Sequence, residues 1–148
     1  MRILVLTALL LPAAVWAQDA PIPGGELSLA GVAVGDPPGR VRALLGEPHR
    51  VIDDPARLAL RYEYPELTVS FSENEVSALH ATGPRACTPR RLCPGDPLDR
   101  MRTLYGEPRI ADRAGGRVYE YYGSEVYCWL RIAAAGDTVA SIAVDCQP

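Results

Sequence analysis

Residues 35–48 read GDPPGRVRALLGEP, and residues 95–108 read GDPLDRMRTLYGEP. Nine of the fourteen positions are identical at a constant offset of sixty, with unchanged spacing from Gly-Asp-Pro to Gly-Glu-Pro. Self-similarity of this kind sets the architecture before any single residue does. Each copy reads as a short helix with its start and stop written in. Asp36 and Asp96 are expected as N-caps, followed by Pro37 and Pro97 at the first helical position. Gly46 and Gly106 mark the left-handed turn at the far end, and Pro48 and Pro108 forbid continuation. Val41, Leu44 and Leu45, like Met101, Leu104 and Tyr105, fall at i, i+3, i+4, so each helix has one apolar face. A helix of about nine residues does not stand alone in water, so a sheet must cover that face.

Strand signals follow each helix. In the first copy they are 57–64, 67–71 and 76–81, where apolar and polar residues alternate between turn residues. A connecting segment, 49–56, is read as a link. In the second copy the strands are 116–122, 125–132 and 139–146. Tyr62-Glu63-Tyr64 has its echo in Tyr119-Glu120-Tyr121. The expected fold class is therefore α+β, two tandem helix-plus-three-stranded antiparallel sheet repeats. The expected segments are a signal peptide (1–17), a flexible N-terminal arm (18–30), repeat one (31–83), a disulfide-containing linker (84–94) and repeat two (95–148).

The signal-peptide reading rests on Met1-Arg2, an apolar run to Val15, and Val15-Trp16-Ala17 before Gln18. The run falls short of the ~20 residues that a spanning helix needs, and no cysteine at the cleavage point offers a lipid anchor. Removal of residues 1–17 leaves 131 residues with 14 arginines against 18 acids, formally −4. That length suits one domain, or two halves sharing a core. Mild acidity argues against nucleic acid and anionic membranes as partners, both of which reward a basic stripe. All fifteen cations of the chain are arginine.

Four cysteines in an exported chain predict two disulfides, with three pairings open. Cys87 and Cys93 bracket the Pro- and Arg-rich linker, where a bridge would close a tight loop. Cys128 and Cys146 lie on consecutive strands, and a turn around Gly136-Asp137 brings them close to cross-strand register. In that hairpin Val126, Cys128, Leu130 and Ile132, with Ala140, Ile142, Val144 and Cys146, form the apolar faces. Cys-x5-Cys without a second Cys or His pair is poor zinc spacing.

Catalytic, metal and cofactor motifs are not found. His49 follows a helix stop and His80 sits in a strand, neither at a recognised nucleophile–base spacing. Glu47, Glu107, Asp36 and Asp96 recur as paired carboxylates, but the repeat explains them as caps and turn residues. Arg40, Arg42, Arg100 and Arg102 recur on helix flanks and read as a solvated face. Tyr122, Tyr127, Trp129 and Arg131 are a different matter, because Tyr, Trp and Arg dominate interface hot spots. Two readings stay open for them: a partner-binding surface, or the core between the repeats.

The Gly-x-x-x-x-x-Val-x-x-x-Leu-Gly-x-Pro-type helix followed by a Tyr-containing meander resembles the SmpA/OmlA (BamE) family of envelope proteins. In tandem, exported and disulfide-bonded, it is also similar to the secreted β-lactamase inhibitor protein. The resemblance implies a binding protein with a concave sheet, of which enzyme inhibition is one known use. With no catalytic or cofactor motif found, the expected function is non-enzymatic binding without a cofactor. The expected partner is another protein, either an envelope enzyme that it inhibits or an outer-membrane component that it helps to assemble. A small periplasmic hydrolase with an unrecognised site is the third possibility. The expected localisation is periplasmic or secreted, with no membrane insertion after cleavage.

Overall fold

The structure, a computed structural model, describes residues 21–57 and 59–147. The expected signal peptide lies outside the described residues. Helices α1 (Pro38–Leu45) and α2 (Arg100–Tyr105) form where the repeated stretch places them. Their glycine stops adopt φ of 81° at Gly46 and 82° at Gly106, and each glycine N–H returns to the carbonyl four residues back. With ψ near the extended value this backbone region is closed to side chains, at a cost of order 1–3 kcal/mol. Gly46→Ala and Gly106→Ala should each lower stability by about 1.5 kcal/mol in urea titration. Nothing lies within 4 Å of a Cβ built at either position, so the loss would be conformational strain, not a clash.

The helix starts differ from expectation. Asp36 and Asp96 do not cap the helices. The Asp36 carboxylate accepts the N–H of Ala33 at 2.9 Å, and the Asp96 carboxylate accepts that of Cys93 at 2.9 Å. Nor do Pro37 and Pro97 occupy the first helical position: Pro37 is the N-cap, with Pro38 following it into α1, and α2 begins only at Arg100, with Asp99 at its N-cap and Pro97 outside the helix. Asp36 and Asp96 each also pair with the arginine one turn on, Arg40 at 3.0 Å and Arg100 at 3.4 Å.

The fold class expected from the sequence is corrected by the sheet. The two halves do not form separate helix-plus-three-strand units. Each contributes four strands to one eight-stranded antiparallel sheet. With β1 (Ser28–Leu29) and β2 (Val32–Ala33) forming a small hairpin, the large sheet comprises β3 (Arg50–Asp54), β4 (Ala59–Glu63), β5 (Leu67–Ser72), β6 (Glu75–Ala81), β7 (Arg109–Arg113), β8 (Gly116–Tyr122), β9 (Cys128–Ala135) and β10 (Thr138–Cys146). Its order is β3-β4-β5-β6-β10-β9-β8-β7. The last strands of the two halves meet at the centre, with Ala81 opposite Ile142 and Leu79 opposite Val144. Strands β3 and β7 are the missed elements, one at each edge. They carry no buried face: every residue in them is exposed or half-buried.

The repeat also begins earlier than expected. Residues 21–30 are not a loose arm: Ile22, Leu27 and Leu29 are buried. Ile22 donates to Tyr122 O at 2.7 Å and accepts from Ser124 at 2.9 Å. The linker mirrors this segment at the same offset of sixty. Glu26 donates to Pro23 O as Ala86 does to Gly83 O, and Gly35 donates to Val76 O as Gly95 does to Val139 O.

The core lies between the helices and one face of the sheet, and includes Val41, Tyr62, Val69, Leu79, Met101, Leu130, Ile132, Ile142 and Val144. Tyr64 and Tyr121, the echoed tyrosines, each donate to the carbonyl of a helix-stop glycine, Gly46 at 2.9 Å and Gly106 at 2.8 Å. Arg42 and Arg102, read as part of a solvated face, lie over Tyr62 and Tyr119, 4.8 and 5.8 Å from the ring centroids.

Burial pushes the phenol of Tyr105 up to about 12 and raises those of Tyr121 and Tyr64. A phenol ionises near 10 in the unfolded chain, so the fold favours the neutral form. That contribution is complete below about pH 10 and is lost as pH rises toward 12. Urea midpoints should therefore hold steady up to about pH 10 and fall above it, with a shallower fall in Tyr105→Phe.

Candidate functional site

The second face of the sheet is polar and lies away from the helices. One row crosses all eight strands along the ladder: Arg50, Glu63, Thr68, His80, Ala143, Arg131, Glu120 and Arg109. The row is quasi-symmetric at its ends, where an arginine on the edge strand faces a glutamate on the next, and asymmetric in the middle. Arg131 stands where the first half has Thr68.

The asymmetry changes the glutamates. Glu63 pairs with Arg61 at 3.3 Å and Arg50 at 3.7 Å, and its side chain is 22% exposed. Glu120 is fully buried. Its Oε1 accepts from Arg113 Nη2 at 2.7 Å and Nε at 3.1 Å, and from Arg131 Nε at 3.2 Å. The other oxygen, Oε2, has no hydrogen-bond partner among the described residues. Arg131 also donates to Asp145 at 2.8 Å.

Three of the four residues expected at a partner surface meet here. Trp129 pairs with Tyr122 across the ladder, their ring centroids 5.7 Å apart and tilted by 62°. The Arg131 guanidinium lies 5.4 Å from the Trp129 ring, and Arg109 lies 5.7 Å from the Tyr122 ring while donating to its hydroxyl at 2.8 Å. Trp129 Nε1 is buried with no hydrogen-bond partner among the described residues. Tyr127, in the loop before β9, is 83% exposed. These residues are not the core between the halves; that junction is built from β6 and β10, on whose other face Leu79 and Val144 meet. Glu120, Arg113 and Arg109 were not singled out in the sequence, although Glu120 lies inside the echoed Tyr-Glu-Tyr.

The cysteines pair as Cys87–Cys93 and Cys128–Cys146. Cys128 stands directly opposite Cys146 in the β9–β10 ladder. Two such bridges fit a chain that folds in an oxidising compartment. His49 and His80 are both exposed; His80 lies in β6, whereas His49 sits in the bend before β3. Among the described residues, no cluster of three or more His, Cys, Asp or Glu side chains could hold a metal ion, and no helix is long and apolar enough to cross a membrane.

No protein-family model and no curated protein matches the chain. Solved structures do. A cysteine-rich secretory protein from Staphylococcus aureus superimposes with a TM-score of 0.60 at 15% identity, over 87% of this chain and 49% of its own. An extracellular protein containing an SCP domain, from Bacillus anthracis, matches at 0.54 and 10% identity, over 98% and 50%. A DUF4309 family protein from Bacillus subtilis matches at 0.55 and 18% identity, over 79% and 83%. The chain spans about half the length of the first two. At these identities the likeness is one of fold.

Proposed function

We propose that this protein is an exported, non-enzymatic binding module that recognises another protein with the polar face of its sheet, and that its partner is an envelope-acting enzyme which it inhibits or neutralises. The observation that supports this reading is the Tyr122–Trp129–Arg131 cluster on a sheet face that no core residue needs. Aromatic and arginine side chains there are already held in place by ring contacts and by ion pairs to Glu120 and Asp145. Prior ordering lowers the entropic cost of forming an interface. The resemblance of the repeated helix and its tyrosines to the SmpA/OmlA family supports a binding role in the envelope, and the similarity to the β-lactamase inhibitor protein supports inhibition.

The test is stoichiometric. Mature protein purified from its native envelope should carry a soluble hydrolytic enzyme, and the purified pair should form a one-to-one complex with lowered turnover. Co-purification with outer-membrane machinery instead would assign the protein to assembly. Turnover by the protein itself, lost in His49→Ala or His80→Ala, would make it an enzyme and overturn the proposal.

A further inference from the structure

We infer a second docking site, on the helix side of the sheet: an open cleft at the end of α1 that receives an aromatic side chain of a partner polypeptide. The cleft has a volume of about 350 Å³ and is walled by Ala30, Leu44, Leu45, Tyr64, Leu67 and Ala86. The ion pair between Arg85 and Glu66, 2.9 Å apart, stands at its rim.

The protein's own second half identifies the occupant. At the matching place there, the offset of sixty puts Tyr105 for Leu45, Arg90 for Ala30 and Glu26 for Ala86. Tyr121 takes the part of Tyr64, each bonded to its helix-stop glycine. In that half the place is filled. The Tyr105 ring lies 5.5 Å from the Tyr121 ring, and the Arg90 guanidinium lies 5.1 Å from the Tyr105 ring. The Tyr105 hydroxyl is 2.7 Å from Thr88 Oγ1 and 3.1 Å from the Glu26 carboxylate.

In the first half three of these groups are truncated to Leu45, Ala30 and Ala86, while the aromatic wall is kept. Tyr64 holds its ring in place through the Gly46 carbonyl, and among the described residues no ring stacks on it as Tyr105 stacks on Tyr121. An incoming aromatic ring would take the Tyr105 position, tilted against Tyr64, with Arg85 available to cover it. Leu44, 47% exposed beside the opening, extends the apolar contact to the polypeptide that carries the ring. The site is independent of the polar face around Trp129 and can fail or stand without it.

The experiment is a nuclear magnetic resonance titration of the mature protein with N-acetyltyrosinamide, with N-acetylleucinamide as the aliphatic control. Saturable shifts are expected at Ala30, Leu45, Tyr64 and Ala86, with the leucine probe at least about fivefold weaker. Leu45→Tyr, which copies the filler of the second half, should weaken the tyrosine probe about tenfold or more while leaving the unfolding midpoint unchanged or raised. Ala30→Arg is the second variant should Leu45→Tyr misfold, with the same expected loss. The proposal is overturned by an absence of shifts, by shifts centred on Trp129, by equal binding of the two probes or by unweakened binding in the filled variant. Concentration-dependent shifts at these residues without any probe would assign the cleft to a second copy of the chain and also overturn it.

Discussion

Replacing Cys128 and Cys146 together by alanine is expected to lower stability by about 3 kcal/mol, seen as a drop of about 10 °C in thermal midpoint. The bridge spans 18 residues and joins β10, at the centre of the eight-stranded sheet, to its neighbour β9, so its loss frees the whole β9–β10 hairpin in the unfolded chain. The ladder itself should survive, because Leu130, Ile132, Ile142 and Val144 remain buried on either side. The Cys87–Cys93 bridge closes a loop of only six residues, so its removal should cost less, about 2 kcal/mol by the same chain-entropy argument. Equal losses would mean that the bridges act through native packing and not through the unfolded chain.

Glu120→Ala is the second large effect, about 2 kcal/mol of stability. Breaking a buried pair ordinarily costs more, because it strands a charge. Here the stranded partners are Arg113, 51% exposed, and Arg131, 29% exposed, which water can still reach. Arg131 keeps Asp145. Glu63→Ala, at the quasi-equivalent position with a 22% exposed carboxylate, is the internal control and should cost about 0.5 kcal/mol. Urea titration of the two variants side by side measures the difference. If they were equal, the burial of Glu120 would carry no special energetic weight.

The positions of both helices were legible because capping chemistry is local: Gly46 and Gly106 stop the chain wherever they occur. So was the last hairpin, whose alternation placed Leu130, Ile132, Ile142 and Val144 inward and brought Cys128 opposite Cys146. Val126 and Ala140, assigned to the same inward faces, are exposed; Ala140 falls where the β9–β10 register shifts. The edge strands were not legible. RVIDD and RIADR have no buried side to generate a pattern, and Val51 and Ile110 remain 45% and 53% exposed on the finished sheet. Joining the two halves into one sheet was also hidden, since pairing of β6 with β10 is a long-range choice that leaves no mark on either strand. The aspartates misled because a Gly-Asp-Pro sequence serves a backward turn as well as a forward cap. Signals for the polar face were partial: Tyr122, Trp129 and Arg131 stood out by residue type, whereas Glu120 becomes distinctive only when Arg113 and Arg131 converge on it.

The central claim is that the polar face around Trp129 is the surface that meets another protein. The most direct measurement is affinity purification of the tagged mature protein from its native envelope, comparing wild type with Trp129→Ala at matched folding. One enzyme is expected to co-elute with wild type and to be lost from the variant, with binding of the purified pair weakened about thirtyfold or more. The same enzyme retained at equal affinity by Trp129→Ala would contradict it.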